Sequence, residues 1–380
     1  MKQPVILQVL PALRSGGVER GTIEIAGAIS RAGWQALVAS SGGPMVPGVA
    51  YAGGEHITLP LNSKNPFAIW RNAAQLEKII REREVDIIHA RSRAPAWSAY
   101  LAAKRTGTPL VTTFHGVYGL TPAIKKHYNA VMTKGDRVIA ISNFVAKHIT
   151  DNYEVDASRI RIIHRGVDIA QFDPKRILPQ RMVDLAGKWR LPDDVPLILM
   201  PGRVTRWKGQ HVLIEALAKL PHRHFFCLMV GDDMGHPGYR KEVEARIFQL
   251  KLDEHVRFVG NTPHMPEAYM LADIVVAPSI EPEGFGRVPV EAQAMGRLVI
   301  ATNHGGACET VVEGETGWLT KPGDVEDLSQ AIAYALGLPK EAKDRLGQQA
   351  MEHVRAHFSA TVMCEKTLQV YWELIGSRYE

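Results

Sequence analysis

At 380 residues the chain exceeds what one hydrophobic core usually serves, so two domains are expected. Apolar residues at 46% and charged residues at 22% exclude disordered, collagen-like and disulfide-scaffold proteins. The net charge of +5 is uneven: residues 1–175 carry 22 Lys/Arg against 13 Asp/Glu, about +9, which leaves 23 against 27, about −4, for the rest.

Short apolar runs alternate with helical patterns from the start. The sequence predicts a strand at Val5–Leu10, a helix near Val18–Ala32, a strand at Gln35–Ala39, a helix over Phe67–Arg83 and a strand at Val85–His89. Leu110–Phe114, Arg137–Ile141 and Ile160–Ile163 extend the same βαβ rhythm, and a mainly parallel sheet with helices on both faces follows. Around Asp168–Val195 the rhythm breaks into a proline-dotted stretch, taken as a linker with a helix near Arg181–Lys188. A second parallel sheet is expected from Leu197–Pro201, Phe225–Gly231, Val256–Val259, Ile274–Ala277, Leu298–Ala301 and Gly317–Leu319, with helices such as Gln210–Ala218 and Lys241–Leu250 between them. The closing stretch Ala360–Ile375 is a further helix. These readings give domains at 1–175 and 196–357, a linker at 176–195 and a C-terminal helix within 358–380.

The basic first domain calls for an anionic partner, such as a membrane surface or a phospholipid-like acceptor, or is a solvated basic face. Nucleic acid is disfavoured, since the basic residues are not interleaved with aromatic ones and no reader motif occurs. Cys227, Cys308 and Cys364 are odd in number and widely spaced, which argues against disulfides and against a zinc site. The apolar run after Lys2 is too short for a signal peptide, and no run of about 18 apolar residues follows. A cytoplasmic setting is expected.

In open α/β sheets ligands sit beyond the carboxyl ends of the strands, so the strand-to-helix loops should carry the chemistry. After the first strand, Ser15-Gly16-Gly17 puts two glycines where a helix begins, which suits an anion or merely a tight turn. After Leu197–Pro201, the run Gly202-Arg203-Val204-Thr205-Arg206-Trp207-Lys208-Gly209 sets two cations five apart, able to clasp a diphosphate. After Ile274–Ala277, the run Glu281-Pro282-Glu283-Gly284-Phe285-Gly286-Arg287-Val288-Pro289-Val290-Glu291 holds two carboxylates eight apart around a glycine-rich helix start. Glu291 either complements the helix dipole or accepts hydrogen bonds from a ribose diol. His115, in Thr113-Phe114-His115-Gly116, sits at a strand's carboxyl end, and Asn303-His304-Gly305-Gly306-Ala307-Cys308-Glu309 repeats the pattern of glycines beside a ligand with an acid at a helix start.

In this order and spacing the loops resemble the retaining glycosyltransferase family 4 of the GT-B fold: α/β, with two Rossmann-like parallel-sheet domains facing a central cleft. Glu283 and Glu291 match the family's E-x7-E motif, Gly202, Arg203, Lys208 and Gly209 its phosphate loop, and Gly16 and Gly17 its N-terminal glycine pair. The resemblance implies that Arg203 and Lys208 bind the donor diphosphate and assist catalysis, and that Glu291 binds the ribose. It further implies that Glu283, with the Phe285 and Gly286 backbone, holds the sugar, that Gly284, Arg287 and Val288 belong to the donor site, and that the base lies near Val259, Gly260 and Asn261. Gly17 would meet the donor phosphates, His115 the reactive face of the sugar, and no metal or other cofactor is required.

The segment His89–Trp97 is similar to bacterial lipopolysaccharide-core glycosyltransferases within the family. This implies a donor of GDP-mannose or a UDP-hexose and a glycolipid or saccharide acceptor, met by Arg14, Arg91, Arg93 and His115. Lys125-Lys126-His127 with Arg14 would lean on the cytoplasmic face of the membrane. A nucleotide-sugar epimerase or hydrolase of the same fold, or a non-catalytic nucleotide-sugar-binding subunit, is the alternative.

Overall fold

A computed structural model describes residues 3–14, 16–235 and 237–376; Ser15 of the first glycine loop lies outside them. The chain divides into two compact units, Met1–Gly166 with Ala360–Glu380, and Val167–Ser359.

Among the described residues the first unit holds a seven-stranded sheet: β1 Val5–Val9, β2 Gln35–Ser40, β3 Glu55–Thr58, β4 Ile87–Ala90, β5 Leu110–Phe114, β6 Arg137–Ala140 and β7 Ile160–Ile162. The order is β3-β2-β1-β4-β5-β6-β7 and every pairing is parallel. β1, β4 and β5 are buried along their whole length, as expected of parallel strands covered on both faces. β3, which the sequence does not predict, is a four-residue edge strand with both ends exposed, so it carries no apolar run. The helix Ala360–Ile375 belongs to this unit. Its Met363, Cys364, Val370, Tyr371 and Ile375 join the core formed by Ile6, Ile25, Ile29 and Val38. Glu373 pairs with Arg137 at 2.9 Å and Arg161 at 2.7 Å, and Trp372 stacks on Trp34 with ring centroids 5.8 Å apart.

The second unit holds a six-stranded parallel sheet, again among the described residues: β8 Leu197–Pro201, β9 Phe226–Val230, β10 Val256–Gly260, β11 Ile274–Ala277, β12 Leu298–Thr302 and β13 Trp318–Thr320, in the order β10-β9-β8-β11-β12-β13. Ile198, Met200, Leu213, Leu217, Cys227, Ile274, Val276 and Ile300 anchor its core. The boundary between the units falls at Gly166/Val167 rather than at 175. The stretch 176–195 is not a free linker but part of this unit. Its helix Pro179–Trp189 buries Leu185 and Trp189, and Arg181 reaches Glu267 at 3.5 Å. Just ahead of it, Phe172 packs on Tyr269 with centroids 6.0 Å apart. Both aromatic residues are buried, which ties the stretch down despite its prolines.

Candidate active site

The loop after β8 is fixed by its backbone. Gly202 N donates to Val230 O at 2.8 Å and Val204 N to Asp232 O at 3.0 Å, so the segment is tied to the end of β9. The turn Arg206–Lys208 ends at Gly209, whose φ of +78° opens the helix Gln210–Ala218. A Cβ there would lie 2.0 Å from the carbonyl oxygen of Pro278, so only glycine fits. Gln210, 1% exposed, donates from Nε2 to Arg203 O at 2.9 Å and holds the cationic turn from below. The Trp207 ring lies beneath both cations, 4.5 Å from Lys208 Nζ and 5.6 Å from the Arg203 guanidinium.

The loop after β11 meets this turn. Ile280 N donates to Trp207 O at 2.8 Å, and Lys208 Nζ donates to Glu283 Oε1 at 2.7 Å. Ser279 Oγ donates to the same oxygen at 2.6 Å. Glu283 therefore has one oxygen clamped by a cation and a hydroxyl, while among the described residues no hydrogen bond reaches Oε2. The loop after β12 fastens the main chain here: Gly306 N donates to Glu283 O at 2.8 Å. A Cβ on Gly305 would stand 2.5 Å from Glu283 O, and one on Gly306 2.4 Å from Phe285 Cα. Phe285 is buried against Phe358, with centroids 5.8 Å apart.

Glu283 and Glu291 do not act as a pair, because each has its own donors. Gly286, at φ +76°, caps the helix Arg287–Ala294, within which Arg287 Nη2 donates to Glu291 Oε1 at 2.6 Å. Tyr269, fully buried, donates its hydroxyl to Glu291 Oε2 at 3.0 Å. Burial, then the Glu291 carboxylate, pushes the Tyr269 phenol well above its usual range, so it stays a proton donor. Val288 lies in the first turn of the same helix. Val259 drops out of register at a bulge between Phe258 and Gly260. Gly260 O accepts from Gly231 N at 3.0 Å, and Asn261 Nδ2 donates to Asp232 Oδ2 at 3.2 Å. The structure thus gathers Arg203, Lys208, Glu283 and the segment from Gly284 to Arg287 onto interlocked loops of one sheet edge.

In the first unit Gly16, at φ +138°, precedes the helix Gly17–Arg31, and Arg14 is exposed. His115 follows β5. The residue is half-buried, yet both ring nitrogens are covered and neither has a partner. Burial, then the charges of Arg91 and Arg165, holds its imidazole well below the usual histidine range, so it is neutral near pH 7. Arg91, expected to meet an acceptor at the surface, is 3% exposed. Its Nη1 reaches Gln8 Oε1 at 3.4 Å, and Gly21 leaves it room in the adjacent helix, where a Cβ would come 3.1 Å from Nη2. Arg93 is half-buried, donating to Asn129 Oδ1 at 3.0 Å and covering the Tyr118 ring at 4.4 Å. Behind them His89 lies fully buried between the Tyr371 hydroxyl at 2.6 Å and Thr113 Oγ1 at 2.7 Å.

Sequence reasoning did not find Ser279, Tyr269 or Gln210. Each acts on a charged group or loop through the tertiary fold, and no motif marks it. Among the described residues no cluster of three His, Cys, Asp or Glu is arranged to hold a metal ion, and no helix is long and apolar enough to cross a membrane.

Residues 15–171 match the family model described as Glycosyltransferase Family 4, and residues 184–353 the one described as Glycosyl transferases group 1. A glycosyltransferase from Rickettsia africae ESF-5, known from a crystal structure, is 45% identical with a TM-score of 0.91, the match covering 99% of each chain. A D-inositol 3-phosphate glycosyltransferase of Nocardia farcinica is 28% identical over 316 residues, 77% of this chain and 68% of that one. A lipopolysaccharide core biosynthesis mannosyltransferase of Rhizobium leguminosarum bv. viciae is 28% identical over 318 residues, 82% of this chain and 85% of that one.

Proposed function

Because the chain belongs to glycosyltransferase family 4 and has its GT-B fold, we propose that it is a retaining hexosyltransferase that uses GDP-mannose or a UDP-hexose and needs no metal. The acceptor in this reading is a lipopolysaccharide core or another glycolipid or saccharide. The lipopolysaccharide core mannosyltransferase among its relatives supports a mannosyl donor and such an acceptor.

The observation that carries the reading is the clamp of Lys208 and Ser279 on Glu283, joined through Trp207 to Arg203. Departure of a nucleoside diphosphate leaves negative charge on its terminal phosphate. Arg203 offers a forked donor and Lys208 a point charge on a turn that is already fixed, so little reorganisation is needed as that charge develops. Glu283 orients the sugar and stabilises its oxocarbenium-like state, with Gly284 to Val288 around the sugar and phosphates. The acceptor oxygen bonds to the anomeric carbon on the face from which the diphosphate leaves. The anomeric carbon–oxygen bond to phosphate breaks, and the acceptor's proton passes to that phosphate. Glu291, aligned by Arg287 and Tyr269, takes the ribose hydroxyls, and the base lies along Val259, Gly260 and Asn261. Gly16 and Gly17 serve the donor phosphates and His115 the sugar; Arg14 and Arg93 serve the acceptor side. Lys125 and Lys126, exposed beside Ile124 on the helix Ala123–Asn129, meet anionic lipid at the cytoplasmic face.

The test is a thermal-shift screen of UDP, GDP, ADP and CMP with their sugars, followed by proton NMR of the product's anomeric signal with EDTA present. One nucleotide should stand ahead, lose its shift in Arg203→Ala and Glu291→Ala, and support turnover with retained configuration. An inverted product, dependence on a divalent ion, or hydrolysis with no acceptor product would overturn the corresponding part.

A further inference from the structure

Beside Glu283 lies a small hollow whose polar lining is Ser279, Glu283, Thr302 and His304, with Gly286 and alanines such as Ala277 and Ala301 completing it. Its volume of about 10 Å³ is that of one hydroxyl group or one water molecule. Both ring nitrogens of His304 are covered from solvent and neither has a hydrogen-bond partner. A buried polar atom left so is destabilising, and native folds leave few of them. The position is fixed: His304 N donates to Thr302 O at 2.8 Å, and the next two residues are the glycines packed against the backbone of Glu283 and Phe285. The polar neighbours are already committed. Ser279 Oγ spends its proton on Glu283 Oε1, and Thr302 Oγ1 reaches Ala277 O at 3.3 Å. What remains is the imidazole and Glu283 Oε2, a pair suited to a group that donates and accepts at once.

We propose that His304 is a specificity-determining residue that, together with Glu283, holds one hydroxyl of the transferred hexose in this hollow. A sugar hydroxyl meets both requirements: its proton goes to Glu283 Oε2 and its oxygen accepts from the imidazole N–H, or the roles are exchanged for the other tautomer. The hollow admits one such group and no larger substituent, so an N-acetyl group at that carbon is excluded by size. The inference rests on the donor-sugar reading of Glu283 and names which further side chain reads the sugar.

The test uses GDP-mannose and UDP-glucose, taking forward whichever is turned over, together with its 2-, 3-, 4- and 6-deoxy analogues. The native enzyme should discriminate against one deoxy donor by about 10- to 100-fold in kcat/KM. In His304→Ala the parent donor should fall to the level of that analogue while the analogue itself is unchanged, so the ratio collapses towards one. His304→Asn, which keeps a donor and an acceptor, should recover part of the ratio and gives a reading if the alanine variant does not fold. Affinity for the sugar-free nucleoside diphosphate should stay within about threefold in both. Unchanged discrimination at every position in a folded variant overturns the proposal and leaves the hollow to an internal water. A parallel loss of diphosphate affinity also overturns it, since His304 would then only support the loop. If neither nucleotide binds the native enzyme, the donor reading itself fails, an outcome distinct from both.

Discussion

Lys208→Met removes the cation from a pair that is mostly covered: the side chains of Lys208 and Glu283 keep 12% and 23% of their surface, and nitrogen and oxygen are 2.7 Å apart. Exposed ion pairs contribute about 0–1 kcal/mol, and breaking a buried one costs about 3–5 kcal/mol. With partial cover, and with Ser279 still donating to the carboxylate, a loss of about 2 kcal/mol from the second unit is expected. Glu283→Gln keeps the shape without the charge, so the double variant isolates the coupling, expected at about 1.5 kcal/mol in urea unfolding of that unit. The same three variants separate the proposed roles. On the proposed role of its charge at the diphosphate, Lys208→Met should weaken GDP or UDP by about 10- to 30-fold in calorimetric titration. On its proposed role at the sugar, Glu283→Gln should leave that affinity within about threefold and lower kcat by about 100-fold. Coupling below about 0.5 kcal/mol, or equal loss of diphosphate affinity in both single variants, refutes the division of labour.

Tyr269→Phe takes away one of the two donors that align Glu291, so the KM for the donor should rise about 5- to 10-fold with kcat unchanged; a fall in kcat alone would place Tyr269 elsewhere in the reaction. Gly209→Ala must put a Cβ 2.0 Å from Pro278 O at a φ of +78°, and should cost the second unit about 2–4 kcal/mol by chemical denaturation. Burial, then the Arg91 charge, holds His89 well below the ordinary histidine range. The unfolded chain therefore binds the proton first. Stability is full above about pH 6.5 and falls as pH drops below it, by roughly 1 kcal/mol between pH 7.5 and 5.5. His89→Gln should lose that share of the pH dependence in unfolding of the first unit, and an unaltered slope would show that His89 is not the group responsible.

The features legible in the sequence are those set by immediate neighbours. Each fully buried strand of four or five residues announces itself, and the loop after it is at the sheet's carboxyl edge, which is why Gly202, His115 and, six residues beyond its strand, Glu283 are legible. β3 was missed because its Glu-His-Ile-Thr is half solvated, and the stretch at 176–195 because prolines mask a helix that packs through only Leu185 and Trp189. Arg91 illustrates the harder case. Its charge argues for the surface, and what allows burial is Gln8 and the gap at Gly21, 83 and 70 positions away in the sequence numbering. His89 and Tyr371, 282 residues apart, meet for the same kind of reason.

The glycines teach a finer distinction. In sequence, Gly305 and Gly306 mark a place where something approaches the backbone closely, and a ligand is the natural guess. The structure shows a close approach of protein backbone at these positions: Gly305 admits the main chain of Glu283, Gly306 that of Phe285, Gly209 the carbonyl of Pro278, and Gly231 that of Gly202. These contacts join the loops after β8, β9, β11 and β12 through backbone atoms, which have few rotamers to lose and little freedom to shift. The side chains that rise from them, Lys208, Ser279, Glu283 and His304, inherit that fixity. A site that must stabilise charge without rearranging benefits from being held this way, so replacing one of these glycines should disturb the placement of residues in a neighbouring loop as well as in its own.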